Sequence, residues 1–214
     1  MEARGTLPRT GGPEGRRSES PQGQATLAAI LTAAGELASL EGLEQLSMRR
    51  LAAEVGMSKS GLYAHFASKE ELQLATIEHV CGVFQSKVLH GPPDGHDNDL
   101  GPLLKRWLAF FEHKVFPGGC FLVTAAVEFA NRQGPVRDAL AAALDREFAA
   151  LEKAIDHANE TGELDPQQDP GQTAFELHSV LMNTHALFQV KQDPAVFSRA
   201  RAAIRRMFGG LDGF

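Results

Sequence analysis

The stretch SMRRLAAEVGMSKSGLYAHFASKEEL, residues 47–72, constrains the fold of this chain more than any other segment. Ser47, Ser58 and Ser68 each precede a short run with helical spacing. Serine is a favoured N-cap because its hydroxyl accepts a free backbone N–H at the start of a helix. Gly56 stands where a residue in the left-handed conformation would end the first of these helices. The stretch therefore predicts three closely connected helices.

The helix predicted from Ser58 has an outward face made of small side chains. Leu62 and Phe66 are about one turn apart and point inward, which leaves Ser60 and Ala64 on the opposite surface. This surface is flanked by Gly61, Tyr63 and His65. Small side chains let a helix backbone approach base edges in a major groove about 12 Å wide. The pattern favours DNA binding, and a plain helical hairpin is the alternative.

The charge of this segment is positive although the chain as a whole is acidic. The chain contains 21 Lys and Arg against 27 Asp and Glu, a net charge of −6. Between residues 47 and 69, Glu54 is the only anion, and the four cations are Arg49, Arg50, Lys59 and Lys69. The acidic balance argues against general coating of nucleic acid, but a local basic patch attracts DNA phosphates. Ser68 and Glu71 have the spacing of a capping box, which leaves a helix N-terminus near Lys69 for a phosphate.

About a dozen positions of this region have a specific spacing. They are Ser47, Leu51-Ala52, Val55-Gly56-Met57-Ser58, Leu62-Tyr63, His65-Phe66, Ser68-Lys69-Glu70 and Leu72. In this pattern, with residues 24–39 as the preceding helix, the chain resembles the DNA-binding signature of the TetR family of bacterial repressors over about 50 residues. The resemblance implies a helix-turn-helix whose recognition helix spans residues 58–66. It also implies a homodimer with a larger, divergent ligand-binding domain.

The resemblance implies a role for individual residues as well. Ser47 becomes the capping, phosphate-contacting start of the helix that crosses the DNA backbone, and Lys69 becomes a phosphate-binding lysine. The implied DNA-binding set is Ser47, Arg49, Ser58, Lys59, Ser60, Gly61, Tyr63, Ala64, His65 and Lys69. Ala64 departs from the family because many members carry a larger polar or aromatic residue there. Alanine favours contact with a thymine methyl over hydrogen-bond readout.

Apolar periodicity and helix-breaking residues predict an all-α fold of about nine helices, and no strand pattern of useful length is present. The helices are expected over residues 24–39, from 47, from 58, over 68–87, 100–114, 120–131 and 135–161, and after Asp169-Pro170 and Asp193-Pro194. The expected organisation is a disordered arm at residues 1–22, a three-helix helix-turn-helix DNA-binding domain at 23–68, and a ligand-binding and dimerisation domain at 69–214.

The arm contains Gly, Pro, Ser and Arg with almost no apolar residue, so it cannot bury enough surface to offset the entropy of ordering. Its arginines are Arg4, Arg9, Arg16 and Arg17. Basic arms enter minor grooves in other DNA-binding proteins, which makes this one interpretation of the segment. A disordered tail without a role is the other interpretation.

Twelve of the thirteen phenylalanines follow Leu72, and they can fill the core of the second domain. The family resemblance also implies an effector pocket between the middle helices. Its candidate walls are Trp107, Phe110, Phe111, Cys120, Phe121, Thr124, Glu128, Phe129 and Phe148. Glu128 is a carboxylate on an apolar helix and needs a partner, either an arginine of the protein or a ligand. The identity of the effector does not follow from these residues.

The two cysteines are too few for a disulfide scaffold. Cys120 follows Gly118-Gly119 at a predicted helix N-terminus, where the pKa of a thiol tends to fall and its reactivity to rise. A regulator that senses oxidants or electrophiles through Cys120 is therefore an alternative function. A buried, inert cysteine is the other interpretation of this residue.

By resemblance, the last two helices form a four-helix dimer interface with those of a second copy. The candidate interface residues are Leu177, Leu181, Thr184, Phe188, Ala200, Ile204, Met207 and Phe208. A polar stripe lies beside them and contains His178, Met182, His185 and Gln189. Hydrogen-bonded histidines are expected there rather than a metal site, because no third ligand is within reach. The same holds for His90, Asp94, His96 and Asp97 in the breaker-rich segment at residues 90–99.

Several classes of function are disfavoured by what the sequence lacks. It has no run of about 18 apolar residues and no secretory signal, so we expect a cytoplasmic protein without a membrane partner. It has no phosphate-cradling glycine loop, metal-binding histidine pair or nucleophile elbow, so we expect neither an enzyme nor a cofactor. The TetR resemblance, in contrast, implies a repressor that a small-molecule effector releases from a palindromic DNA operator.

Overall fold

The computed structural model describes residues 20–90, 98–164 and 168–209. Within these ranges the chain forms nine α-helices and no strand, which confirms the all-α prediction. The helices are α1 (Pro21–Glu41), α2 (Met48–Glu54), α3 (Lys59–Tyr63), α4 (Lys69–Phe84), α5 (Leu100–Glu112), α6 (Phe121–Phe129), α7 (Pro135–Thr161), α8 (Pro170–Lys191) and α9 (Ala195–Phe208). None of these helices is long and apolar enough to cross a membrane.

Some predictions fall outside the described residues. They concern the four arginines of the arm and the side chains of Asp94, His96 and Asp97. The end of the predicted arm is described, and there Ser20 caps α1, which begins at Pro21 and not at residue 24.

The three serines begin helices as predicted. The hydroxyls of Ser47, Ser58 and Ser68 each accept a hydrogen bond from the backbone N–H three residues on, at 3.3, 3.0 and 3.0 Å. Gly56 has a φ of 66°, the left-handed conformation that ends α2. The carboxylate of Glu71 accepts from the N–H of residue 67 at 2.7 Å, so the reciprocal bond of the capping box reaches one residue further back than expected.

The predicted recognition helix is shorter than the sequence suggested. Helix α3 ends at Tyr63, because the N–H groups of His65 and Phe66 both bond to the carbonyl oxygen of Leu62, at 2.9 and 3.2 Å. This tight turn brings the ring of Phe66 into the core, where it is buried. The surface carried by α3 is therefore one and a half turns of helix followed by a turn.

The first three helices pack around Leu43, Leu51 and Leu62, each of which is fully buried. Helix α1 also packs against α4 and α6, while α7 and α8 form the long helical pair of the larger body. Helix α1 thus packs against α2 of the N-terminal part and also against α4 and α6.

The loop between α5 and α6 is wedged between α1 and α8, and it requires glycine. The N–H of Gly118 donates to the hydroxyl of Ser39 at 3.0 Å, and a Cβ at residue 118 would lie 1.8 Å from the carbonyl oxygen of Ser39. Gly119 has a φ of 90°, and a Cβ there would lie 1.6 Å from Nε2 of Gln189. The start of α6 therefore touches both α1 and α8.

A buried histidine ties the start of α6 to α8. The N–H of Cys120 donates to Nε2 of His185 at 2.7 Å, and the imidazole packs against the ring of Phe111 with centroids 5.0 Å apart. The nitrogen that accepts this bond must be unprotonated. Burial lowers the pKa of His185 to about 4. The contact therefore depends on a neutral imidazole.

Acidification is expected to destabilise the fold through His185. Unfolded histidine has a pKa of about 6.5, so the unfolded chain takes up this proton before the folded chain does. The contribution of neutral His185 to the free energy of unfolding is complete above pH 6.5 and is lost as the pH falls towards 4. At pH 5 the loss amounts to about 2 kcal/mol. Urea denaturation at pH 7.5 and 5 measures it. In His185→Gln, whose amide oxygen accepts the same bond, this part of the pH dependence should vanish; an unchanged dependence contradicts the assignment.

Candidate nucleic-acid interface and cavity

The outward surface of α3 has the composition that the helical projection predicts. Lys59, Ser60, Tyr63 and Ala64 are exposed, while Leu62 between them is fully buried. The ammonium of Lys59 lies 5.7 Å from the centroid of the Tyr63 ring, so these two long side chains lie side by side. The surface presents small residues with a cation and a phenol next to them, which suits close approach to base edges and phosphates.

The other residues of the predicted DNA-binding set surround this surface. Arg49 is exposed on α2. Ser47 and Ser58 are engaged as caps, and Gly61 is half-buried with its N–H bonded to Ser58. His65 is half-buried at a groove between α1 and α4, and thus lies to one side.

The positive charge of this region is smaller than the sequence count suggested. Arg50 pairs with Glu54 at 2.7 Å and with Glu41 at 3.0 Å, and Glu41 lies outside the segment that was counted. Within the described residues, Arg49 and Lys59 form no ion pair. These two are the side chains with charge free for a phosphate.

Lys69, expected at a phosphate, has a protein partner in this structure. Its ammonium donates to the carbonyl oxygen of Glu44 and lies 3.4 Å from Oε1 of the same residue. The guanidinium of Arg132, just after α6, lies 3.0 Å from Oε2 of Glu44. Burial opposes the shift, but the hydrogen bond from Arg132 and the charge of Lys69 lower the pKa of Glu44. The phosphate-binding role of Lys69 stays a prediction. A DNA phosphate would compete with Glu44 for the Lys69 ammonium.

The partner that the Glu128 carboxylate needs is, in this structure, the backbone of the loop between α1 and α2 and not an arginine, and Glu128 is not a wall residue of the cavity described below. Its Oε2 accepts from the N–H of Leu43 at 2.9 Å and its Oε1 from the N–H of Glu44 at 3.2 Å. The loop between α1 and α2 presents two consecutive N–H groups that have no backbone acceptor, and the carboxylate of Glu128 accepts both. Gly42, with a φ of 94°, makes room, since a Cβ there would lie 2.9 Å from the carboxylate. We call this contact the α6 clasp.

Helices α4 to α7 and the loop before α6 line a narrow cavity of about 30 Å³. That volume has room for about two water molecules. Its walls are Val80, Cys81, Phe84, Gln85, Leu89, Phe110, Phe116, Cys120, Phe121, Leu122, Ala143, Arg146 and Glu147. Three of the predicted pocket residues are among them, namely Phe110, Cys120 and Phe121. The pocket is therefore present but narrow.

The remaining predicted pocket residues do not line this cavity. Trp107 and Phe111 belong to the core, and the Trp107 ring packs edge-on against Phe84 at 4.9 Å. Phe148 stacks against the imidazole of His178 at 4.4 Å. Thr124 is exposed, and its hydroxyl bonds to the preceding turn of α6. Phe129 is buried beneath the guanidinium of residue 132.

The thiol of Cys120 does not have the environment of a reactive cysteine. It is buried in the apolar wall, and this burial, together with the charge of Glu147, raises its pKa to about 12. Burial also raises the pKa of the Cys81 thiol. The expectation that the helix N-terminus would lower the pKa of Cys120 is wrong, because desolvation of the thiolate outweighs the helix dipole. These data favour the inert-cysteine interpretation over the redox alternative.

Glu147 is a cavity residue that sequence reasoning missed. It is 4% exposed, and its Oε2 lies 3.3 Å from Nε2 of His178 on α8. Burial raises its pKa, and the bond to His178 opposes this shift. A signal was present, since Glu147 continues the buried spacing of Leu140, Ala143 and Leu151 along α7. A carboxyl group at a core position of an amphipathic helix indicates a buried ionisable side chain that needs a partner.

Most of the predicted dimer residues pack within one chain, and their role in a dimer stays a prediction. Leu177, Leu181 and Ile204 are fully buried within one chain because α8 packs between α7 and α9. Thr184, Phe188 and Ala200 are also buried, and Met207 and Phe208 are half-buried. A different stripe of α8 faces outward, made of Phe175, Ser179, Asn183, Ala186 and Val190. Phe175 is 59% and Val190 is 84% exposed, so two large apolar side chains of this outer stripe are uncovered.

Both the N-terminal and the C-terminal part of the chain match known protein families. The family model for the tetracyclin repressor-like C-terminal domain matches residues 98–204, half of the chain. The model for bacterial regulatory proteins of the TetR family matches residues 30–76. A segment of 59 residues is 48% identical to the HTH-type transcriptional repressor DrrR1 of Streptomyces coeruleorubidus, and it spans 27% of this chain but only 22% of that repressor.

Solved structures show the same fold over most of the chain. A TetR transcriptional regulator from Chloroflexus aurantiacus is similar with a TM-score of 0.77 and 21% identity, over 87% of this chain and 96% of that one. AibR in complex with isovaleryl coenzyme A and operator DNA is similar with a TM-score of 0.67 and 24% identity, over 85% and 97% of the two chains. Together with the two family matches, these similarities show that the chain belongs to the TetR family of bacterial regulatory proteins and is a DNA-binding transcriptional regulator.

Proposed function

We propose that this regulator is a homodimeric repressor that leaves a palindromic operator when a small molecule occupies the narrow cavity. Residues 23–68 would be its DNA-binding domain and residues 69–214 its effector-binding and dimerisation domain. The observation that carries the proposal is that α6 touches both sites, because Phe121 lines the cavity and Glu128 holds the loop between α1 and α2. Two relatives support it, since DrrR1 is a transcriptional repressor and AibR is seen with an acyl coenzyme A and operator DNA.

The surface of α3 would enter the major groove. Ser60 and Ala64 would meet base edges, with Ala64 against a thymine methyl, and Lys59 and Arg49 would meet phosphates on either side. Tyr63, 46% exposed beside Lys59, would contact the backbone or a base edge. Lys69 would exchange its contact with Glu44 for a phosphate.

The outer stripe of α8 would hold two copies together. Its exposed Phe175 and Val190 would be buried against the partner, and the small residues Ser179 and Ala186 between them would allow the helices to approach closely. A dimer fixes the separation of the two copies of α3, and half-sites about 34 Å apart require one particular separation. The proposal needs this constraint, because it turns a small domain movement into loss of binding.

Binding of an effector in the narrow cavity would drive release from the operator. A typical small-molecule site has a volume of roughly 300 Å³ or more, ten times the volume found here, so an effector must move the walls apart. Helix α6 contributes Phe121 and Leu122 to these walls. A displaced α6 would carry Glu128 away from the loop that it holds. The effector then favours the arrangement that does not fit the operator by its difference in affinity for the two.

Lys59→Ala is expected to weaken operator binding and to reduce its dependence on salt. Each phosphate contact contributes about 0.9 to the slope of log K against log salt, so losing one contact per subunit lowers the slope of a dimer by about 2. Gel shift on the DNA flanking the gene, over a salt series, measures both quantities. Lys153→Ala, an exposed lysine on α7, is the matched control and should behave as the wild type. Absence of any retarded DNA fragment at low salt would rule out the proposed function.

Glu128→Ala is expected to weaken operator binding while leaving the salt slope unchanged, because Glu128 contacts no DNA. It removes two charge-assisted hydrogen bonds, each worth about 1.5 to 3 kcal/mol, and we expect operator affinity to fall about tenfold. Glu128→Gln keeps one acceptor oxygen and should have a smaller effect. Thr124→Ala, an exposed position on the same helix, is the control. Wild-type affinity in Glu128→Ala would show that the α6 clasp does not position the DNA-binding helices.

A further inference from the structure

Glu147 places a carboxylate in a cavity wall that is otherwise mainly aromatic and aliphatic. From this arrangement we infer that the effector is an apolar organic cation, a substituted ammonium held by Glu147 and by the surrounding phenylalanine rings. The inference rests on the proposed function, because it names the chemical class of the molecule that would open this cavity.

Four phenylalanines provide the aromatic part of the site: Phe84, Phe110, Phe116 and Phe121. They pack edge to face, with Phe110 at 5.4 Å from Phe84 and at 6.2 Å from Phe116 between ring centroids. All four rings belong to the cavity wall, so a ligand there would contact aromatic carbon on several sides. A ring face attracts a cation within about 6 Å, most strongly where water is excluded.

The carboxylate of Glu147 has acceptor capacity left for a ligand. Its only hydrogen-bond partner in the described part of the chain is His178, at 3.3 Å, although a carboxylate has about four acceptor sites. The imidazole of His178 is in turn held between the rings of Phe148, at 4.4 Å, and Trp107, at 6.2 Å. The carboxyl group is therefore buried with one protein partner and with acceptor positions to spare.

The other polar groups of the wall do not neutralise this carboxylate. Arg146 is exposed, and its guanidinium acts on the thiol of Cys81, whose pKa it lowers against the effect of burial. The pKa of Glu147 responds to burial and to His178. Gln85 is exposed and uncharged. Because burial raises the pKa of Glu147, a bound ammonium group would favour its ionised form and would also lie against the rings, whereas an anionic or a neutral ligand would not favour that form.

The chain contains its own probe for this site. Trp107 is its only tryptophan, and its ring lies 4.9 Å from that of the wall residue Phe84. Tryptophan fluorescence and isothermal titration calorimetry can therefore follow binding of three probes of similar shape. They are benzyltrimethylammonium, its neutral carbon isostere neopentylbenzene, and the anion 3-phenylpropionate. We expect the wild-type protein to bind the cation at least tenfold more tightly than the isostere, and the anion most weakly.

Two variants test the role of the carboxylate. Glu147→Gln keeps a hydrogen-bond acceptor for His178 but carries no charge, and it should lose the preference for the cation. Glu160→Gln removes an exposed carboxylate from the same helix and should keep that preference. Because the comparison of cation and isostere in the wild-type protein needs no variant, a folding defect in Glu147→Gln would leave the test intact.

Equal affinity for the cation and the isostere would overturn the inference and show that the cavity selects by shape alone. Failure of all three probes to bind, or an unchanged preference in Glu147→Gln that is folded, would overturn it as well. None of these results touches the proposed repressor function, which gel shift without any ligand tests separately. Loss of DNA binding would instead remove the proposed function while leaving the measured ligand preference in place.

Discussion

The contact between the Glu128 carboxylate and the loop after α1 determines where the DNA-binding helices lie. Two consecutive N–H groups, of Leu43 and Glu44, are left over when α1 ends, and α6 satisfies both of them. Helix α4 holds the same loop from the other side, because the buried amide of Gln73 donates to the carbonyl oxygen of Leu43 at 2.9 Å. Lys69 adds a bond to the carbonyl of Glu44. A short loop is thus clamped by two helices of the larger domain.

Helix α6 is also held at its other end, which makes it a strut between two sites. Its first turn is tied to α8 through the bond between Cys120 and His185, and the preceding loop touches α1 at Gly118. Three wall residues of the cavity lie at this first turn, and the clasp lies at the last. Coupling between two sites of a protein is usually worth about 1 to 3 kcal/mol. Two charge-assisted hydrogen bonds, at about 1.5 to 3 kcal/mol each, amount to at least that much, so loss of the clasp would cover such a coupling energy.

The features that the sequence predicted correctly depend on near neighbours in the chain. The serine caps, Gly56 at the end of α2 and the exposure of Ser60 and Ala64 follow from local backbone and helical geometry. The partner of Glu128 is 84 and 85 residues away, and no local pattern contains such a distance. The predicted dimer residues show another limit of sequence reasoning. Periodicity identified the most apolar stripe of α8, but core and interface are both apolar, and packing against α7 had already used that stripe. Glu147 could have been identified from the sequence as an ionisable residue at a core position of α7.

Filling the cavity from inside by mutation tests the link between the two sites most directly. Ala143 is a buried wall residue, and Ala143→Leu adds more volume than the 30 Å³ cavity holds, so it should displace α6 as an effector would. The measurement is amide hydrogen exchange at Leu43 and Glu44. Exchange at both should become about tenfold faster in Ala143→Leu, as for a loss of about 1.4 kcal/mol in the free energy of local opening, and should stay unchanged in Ala142→Leu on the exposed side of the same helix. Unchanged exchange in a folded Ala143→Leu would contradict the coupling of cavity and DNA-binding helices through Glu128.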